Sequence, residues 1–192
     1  MRISRLTGNR WDVPHLGTVT IGGLTLEVLA EIDATWPQAR RPDDAHGCWR
    51  WTEIAPTLDD LFIVYVQEVV QRWPIAIWGA KRASPLDLPE GPRYRLDYLE
   101  VAPNLRGTDT SVAATFALAT VAMRALEVGA SGIVLAAFQV AGLRRAYEAR
   151  GAVQRAPKGW EFPAGLVPYV LGPEALDRLE GFADDFESPE AK

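Results

Sequence analysis

A chain of 192 residues, 48% hydrophobic and 23% charged, has the length and composition of one soluble domain with a packed core. Its formal net charge of −5 argues against nucleic acid as a partner, because gripping a phosphate backbone requires a basic face. Cys48 is the single cysteine, so no internal disulfide can form, and no run approaches the ~18 apolar residues of a membrane span. The opening MRISRLTGNRW has no apolar stretch suited to a signal peptide, and a cytoplasmic protein without a membrane partner is expected.

In chain order, Thr18-Val-Thr-Ile-Gly-Gly-Leu-Thr-Leu-Glu-Val-Leu places two alternating runs around Gly22-Gly23 and predicts a tight hairpin. The polar stretch from Ala34 to Pro56 holds Trp36, Trp49 and Trp51 and reads as a loop pinned by aromatic rings. Within it Asp43, Asp44, His46 and Cys48 match no standard ligand spacing, so no metal is expected. His15 stands alone and carries no signal. From Leu58 to Trp73 apolar residues fall at helical spacing behind a Thr57 N-cap, although the β-branched run at Phe62–Val66 suits a strand as well; the spacing predicts a helix ending before Pro74. Pro74-Ile-Ala-Ile-Trp and Arg93–Val101 predict strands separated by a Pro-rich turn.

A long helix follows from about Ser111 to Val128, stopped by Gly129. Then come a buried strand from Gly132, a helix over Ala141–Arg150 closed by Gly151, strand material at Trp160-Glu-Phe and Val167–Leu171, and a short helix from Pro173. One domain over residues 1–183 and an acidic, disordered tail over 184–192 are expected. Strand, long helix, strand is a parallel crossover, and the turn Pro103-Asn-Leu-Arg-Gly-Thr-Asp-Thr-Ser before the helix aims free backbone amides outward as an anion site.

Two segments carry a resemblance. Leu99-Glu-Val-Ala-Pro-Asn-Leu-Arg-Gly resembles the GNAT N-acetyltransferase strand that ends in a Val-x-Pro-x-x-Arg-Gly turn, and Tyr147-Glu-Ala-Arg-Gly-Ala resembles that superfamily's Tyr-Glu-Lys-x-Gly-Phe segment, at family-like separation. The resemblance covers roughly residues 94–153 and implies an α/β fold, a mixed twisted sheet flanked by helices and splayed where a cofactor enters. It further implies transfer of an acyl group from acetyl-CoA, or another acyl-CoA, to a primary amine on a small molecule or a protein. By that likeness Leu99 and Val101 pair with the pantetheine arm, and backbone amides near Val101 polarise the thioester carbonyl. Arg106 opens the diphosphate loop, amides from Gly107 through Thr108, Asp109 and Thr110 to Ser111 hold phosphate oxygens, and Tyr147 protonates the departing thiolate.

Asp109 and Ser111 stand where the family has glycine or alanine, and Val140 stands where its second helix carries Asn. A carboxylate there repels a diphosphate, or serves instead as the helix N-cap. The amine needs a base, and Glu100 and Asp97 are the acids on the cofactor strand; three positions apart, they are expected on opposite faces, with Glu100 the better candidate. A catalytically inactive GNAT-shaped binding module is the alternative, and a different acyl or aminoacyl donor is a third reading. Exposed Trp side chains would favour a homodimer.

Overall fold

The computed structural model describes residues 10–14, 16–22, 25–40, 49–68 and 71–186. Two five-stranded sheets share one long crossover helix. The first has the order β1 (Arg10–Val13), β2 (Gly17–Gly22), β3 (Asp60–Gln67), β4 (Arg72–Ala80) and β7 (Tyr98–Val101), with every pair antiparallel. In the second, β5 (Leu86–Leu88) is followed by β6 (Gly91–Leu96), β8 (Ile133–Phe138), β10 (Leu166–Leu171) and β9 (Ala152–Gln154). Helices α1 (Leu26–Ala39) and α2 (Trp51–Ile54) cover one face of the first sheet, packing Leu29, Ile32, Trp36 and Trp51 on Ile63, Tyr65 and Ile77. On the other face lie α3 (Gly107–Glu127) and α5 (Pro173–Asp184), while α4 (Ala141–Glu148) sits between β8 and β9 in the chain. This is the expected mixed α/β architecture.

β6 and β8 run parallel, and a parallel pair needs a crossover, which α3 supplies. Buried alanines at 113, 117, 119, 122 and 125 let this helix lie close to the sheet, with Trp78 donating to Thr120 and Trp11 edge-on to Phe116. Its end is a Schellman motif: Gly129, at φ 80°, donates to the Leu126 carbonyl, and Ala130 donates to that of Ala125. The buried carboxylate of Asp60 is fully engaged. Asp60 accepts from the Tyr94 hydroxyl at 2.7 Å and from Nε and Nη2 of Arg124 at 2.8 and 3.0 Å, fastening β3, β6 and α3 together.

Four local expectations are corrected. The second arm of the Gly22-Gly23 hairpin is the start of α1; the Thr25 hydroxyl accepts from the Val28 amide, and Leu29, Ile32 and Trp36 recur at helical spacing. Gly23 lies outside the described residues. The helix expected behind Thr57 is strands β3 and β4. β3 is an inner strand covered on both faces, so its apolar run has no alternation to separate it from a helix. Arg93–Val101 is not one strand but β6 and β7, which pair in different sheets. Trp160-Glu-Phe forms no strand; its two rings meet each other at 5.8 Å.

Helix α5 also runs past the point where a tail was expected to start. α5 includes Asp184, and the Phe186 carbonyl accepts from the Asp12 amide at 2.9 Å, while residues 187–192 are outside the described set.

Candidate functional site

The site arises where the two sheets part. Tyr94, Arg95 and Leu96 of β6 pair with Ile133, Val134 and Leu135 of β8, and there the ladder stops. Beyond Asp97 the chain continues as β7, bonded to β4, while β8 continues bonded to β10. The edges of β7 and of Ala136–Phe138 therefore diverge without pairing each other, and a cavity of about 660 Å³ fills the wedge. Strand edges left open in this way offer backbone donors and acceptors to an extended ligand.

Alternation along β7 divides the surroundings. Tyr98 and Ala102 pack with the α1–α2 cluster, whereas Leu99 and Val101 pack with the α3 cluster. On the α1–α2 side the cavity meets Arg40, Trp49, Lys81, Tyr98 and Glu100. Glu100 is buried at 7% exposure; one carboxylate oxygen pairs with the Arg40 guanidinium, and the other accepts from the Trp51 indole at 2.7 Å. Trp49 stands edge-on to Trp51 and to Tyr98, with ring centroids 6.0 and 5.5 Å away. α2 is held in place by Asp33, whose carboxylate accepts from the amides of Trp51 and Thr52.

Asp97 lines the cavity as well, so the expectation that only one of the two acids could look inward is corrected. The break between β6 and β7 falls at Asp97 and interrupts the alternation. Its oxygens are engaged by the Arg95 guanidinium at 2.7 Å and the Lys81 amide at 2.8 Å.

The α3 side meets Arg106, Gly107, Thr110, Ala114 and Leu118, together with Tyr147 and Arg150. Positions 107, 110, 114 and 118 recur at helical spacing and define the face that α3 turns to the cavity. Asp109, two residues on from Gly107, is rotated by about 200° from it and lies off that face, as does Thr108. The N-cap residue is Arg106, which makes no side-chain cap, so the reading of Asp109 as N-cap is corrected: it is the third residue of the helix. The helix also begins four residues ahead of Ser111, and the left-handed φ of 54° at Gly107 makes the sharp entry. The Arg106 guanidinium folds back on its own turn, donating to the carbonyls of Pro103 and Leu105.

Tyr147, on α4, has its ring 5.4 Å from that of Tyr169. Burial is the main cause that pushes its hydroxyl up to about 12; the neighbouring Arg150 charge opposes the rise and Tyr169 adds slightly to it. It therefore stays protonated throughout the physiological range. Val140, at the position compared with the family's Asn, is the N-cap of α4 and 37% exposed.

The sequence patterns did not single out Arg40, Lys81, Arg95 or Arg150 for the site. Arg150 carried a usable signal: three positions after Tyr147, it shares a helical face with it. Arg40 carried none, since it meets Glu100 across 60 residues of chain. Asp43, Asp44, His46, Cys48 and His15 lie outside the described residues. Among the described residues no cluster of three or more His, Cys, Asp or Glu could hold a metal, and no helix is long and apolar enough to cross a membrane.

No family model matches the sequence, and comparison with curated proteins finds no match. Solved structures do match in shape. A GNAT-family acetyltransferase from Listeria monocytogenes 4b F2365 superposes with a TM-score of 0.55 at 13% identity, over 81% of this chain and 95% of that one. The GNAT domain of S. lividans PAT gives a TM-score of 0.55 at 12% identity, covering 86% and 97%. The spermidine N-acetyltransferase from Vibrio cholerae, solved with CoA and spermine, gives 0.53 at 11% identity, covering 82% and 97%. The chain has the GNAT acetyltransferase fold.

Proposed function

We propose that the protein is an N-acetyltransferase that moves an acetyl group from acetyl-CoA to a primary amine. The observation that carries this reading is the pair of unpaired strand edges, β7 and Ala136–Phe138, opening a cavity that runs to the N-terminus of α3. An extended pantetheine arm, with its two amides, suits such a slot. The first amides of a 21-residue helix without a side-chain cap suit the diphosphate beyond it. The Vibrio cholerae neighbour, solved with CoA, supports the choice of cofactor. In this reading Leu99 and Val101 flank the arm, and the turn from Arg106 through Gly107 to Thr110 receives the diphosphate. Thr108 contributes through its backbone, whereas the Asp109 amide already donates to the Arg106 carbonyl and Ser111 acts by holding Arg150.

Amine attack on the thioester requires a neutral nucleophile, a polarised carbonyl and a protonated leaving sulfur. Backbone amides of β7 near Val101, on the edge turned away from β4, are the carbonyl donors. Glu100 takes the ammonium proton, directly or through water, because a carboxylate that accepts two bonds still has lone pairs free. Asp97 holds the strand break together and is the weaker candidate. Tyr147, neutral at physiological pH, delivers a proton to the thiolate, which then leaves as CoA. The acceptor, on a small molecule or a protein, approaches between Trp49, Tyr98 and Lys81 from the α1–α2 side. A single domain that takes in the whole of α5 and a cytoplasmic location accord with this role.

Thermal unfolding with acetyl-CoA at about a hundredfold excess over its dissociation constant should raise Tm by about 5–10 °C. An unchanged Tm at millimolar acetyl-CoA would remove the proposal.

A further inference from the structure

The site contains a cation that neutral oxygens alone hold across two helices. Arg150 follows the last turn of α4, is half-buried, and reaches across to α3. Its Nε donates to the Thr115 hydroxyl at 2.9 Å, and its Nη1 donates to the Ala146 carbonyl at 2.6 Å. Its Nη2 donates to the Ser111 carbonyl at 2.7 Å and faces the Ser111 hydroxyl at 3.3 Å. All four partners are neutral oxygens, and among the described residues no carboxylate pairs with it.

Arg40 and Arg95, by contrast, answer Glu100 and Asp97, and Arg106 is turned onto the carbonyls of its own turn. A guanidinium has five N–H groups, so these bonds leave Arg150 with at least one Nη1 hydrogen and its whole charge. Burial pulls its pKa below the ordinary arginine value, as expected for a charge with poor solvation. Its bonds meanwhile fix the guanidinium beside the second and third turns of α3, on the wall of the cavity.

Resting on the acyl-CoA reading above, we propose that Arg150, rather than Arg106, supplies the fixed positive charge that holds a phosphoryl group of the cofactor. The neutral partners orient the fork without cancelling its charge, so an incoming phosphate meets a prearranged cation instead of one that must first leave a carboxylate. Ser111 and Thr115 serve to anchor the arginine. The cavity is thereby positive on the α3 side while the chain as a whole carries −5.

The test is titration calorimetry of wild type, Arg150→Gln and Arg150→Lys with CoA, dephospho-CoA and pantetheine, plus inorganic pyrophosphate as a minimal probe. Arg150→Gln should weaken CoA by about 10- to 100-fold and leave pantetheine, which has no phosphate, within about twofold. Arg150→Lys should recover a substantial part of the loss. An equal loss with dephospho-CoA locates the contact at the diphosphate; a loss confined to CoA locates it at the ribose phosphate. Unchanged CoA affinity in Arg150→Gln overturns the proposal, and so does a pantetheine loss as large as the CoA loss, which marks Arg150 as a mere brace.

Should Arg150→Gln fail to fold, the lysine variant decides: CoA affinity retained well beyond that of a neutral Arg150→Met variant, or a salt dependence equal to that of wild type, supports the charge, and loss of both overturns it. If wild type binds pyrophosphate through Arg150 but not CoA, the acetyltransferase reading falls and this inference stands. If wild type binds neither, both fall.

Discussion

On the α1–α2 side of β7 both oxygens of Glu100 have a partner, whereas on the α3–α4 side the Arg150 guanidinium meets only neutral oxygens. The two sides answer different needs. A carboxylate at 7% exposure pays heavily for lost hydration unless a cation and a donor replace the water. A half-buried guanidinium can stand without a counter-ion, because water still reaches part of it. One side of the strand is thus electrostatically closed, and the other is left open to an anion.

Breaking the closed side should have the largest effect. Glu100→Ala removes the oxygens that accept from the buried Trp51 indole and pair with the Arg40 guanidinium, and is expected to destabilise the fold by about 2–4 kcal/mol, a fall of about 5–10 °C in Tm. Differential scanning calorimetry checks it, and a shift under 2 °C (about 0.5–1 kcal/mol) would mean the pair is compensated by water. On the open side, Tyr147→Phe should lower kcat by about 10²-fold with little change in cofactor affinity, read by steady-state kinetics and calorimetry.

The same tyrosine has a pH signature. Its folded pKa is raised from 10.0 to about 12, so the stability it lends is whole below pH 10 and is lost as pH climbs towards about 12; Tyr147→Phe should lack that alkaline decline. The smallest effect belongs to Asp109→Ala. Off the cavity face, this carboxylate should leave CoA affinity within about twofold, and its removal from the first turn of α3 should cost about 0.3–1 kcal/mol of stability. A large gain in affinity would show that Asp109 does repel the diphosphate.

The segment from Leu99 to Gly151 was legible because its instructions are local. Gly129 must take a left-handed φ, the alanine-rich helix must bury a broad face, and Tyr147 lies one helix and one strand beyond Arg106. In the first ninety residues β2 and β4 were read as strands but β3 was not, because its determinants are distant. Ile63, Val64 and Tyr65 are apolar on both faces of an inner strand, and only the neighbours β2 and β4 decide that they are not helical.

Residue order is therefore enough to specify the α/β class, the helix that crosses between parallel strands, and the proximity of the Arg106 turn to that helix's start. Those features follow from short-range periodicity and backbone preference. Folding had to establish the rest: that β6 and β7 belong to different sheets, that Asp97 and Glu100 both face the cavity, and which side chains neutralise which charges. Arg40 meets Glu100 across 60 residues and Arg150 meets Ser111 across 39, and no pattern of neighbouring residues encodes contacts of that span. Electrostatic pairing depends on distance in space, and only the folded chain sets that distance.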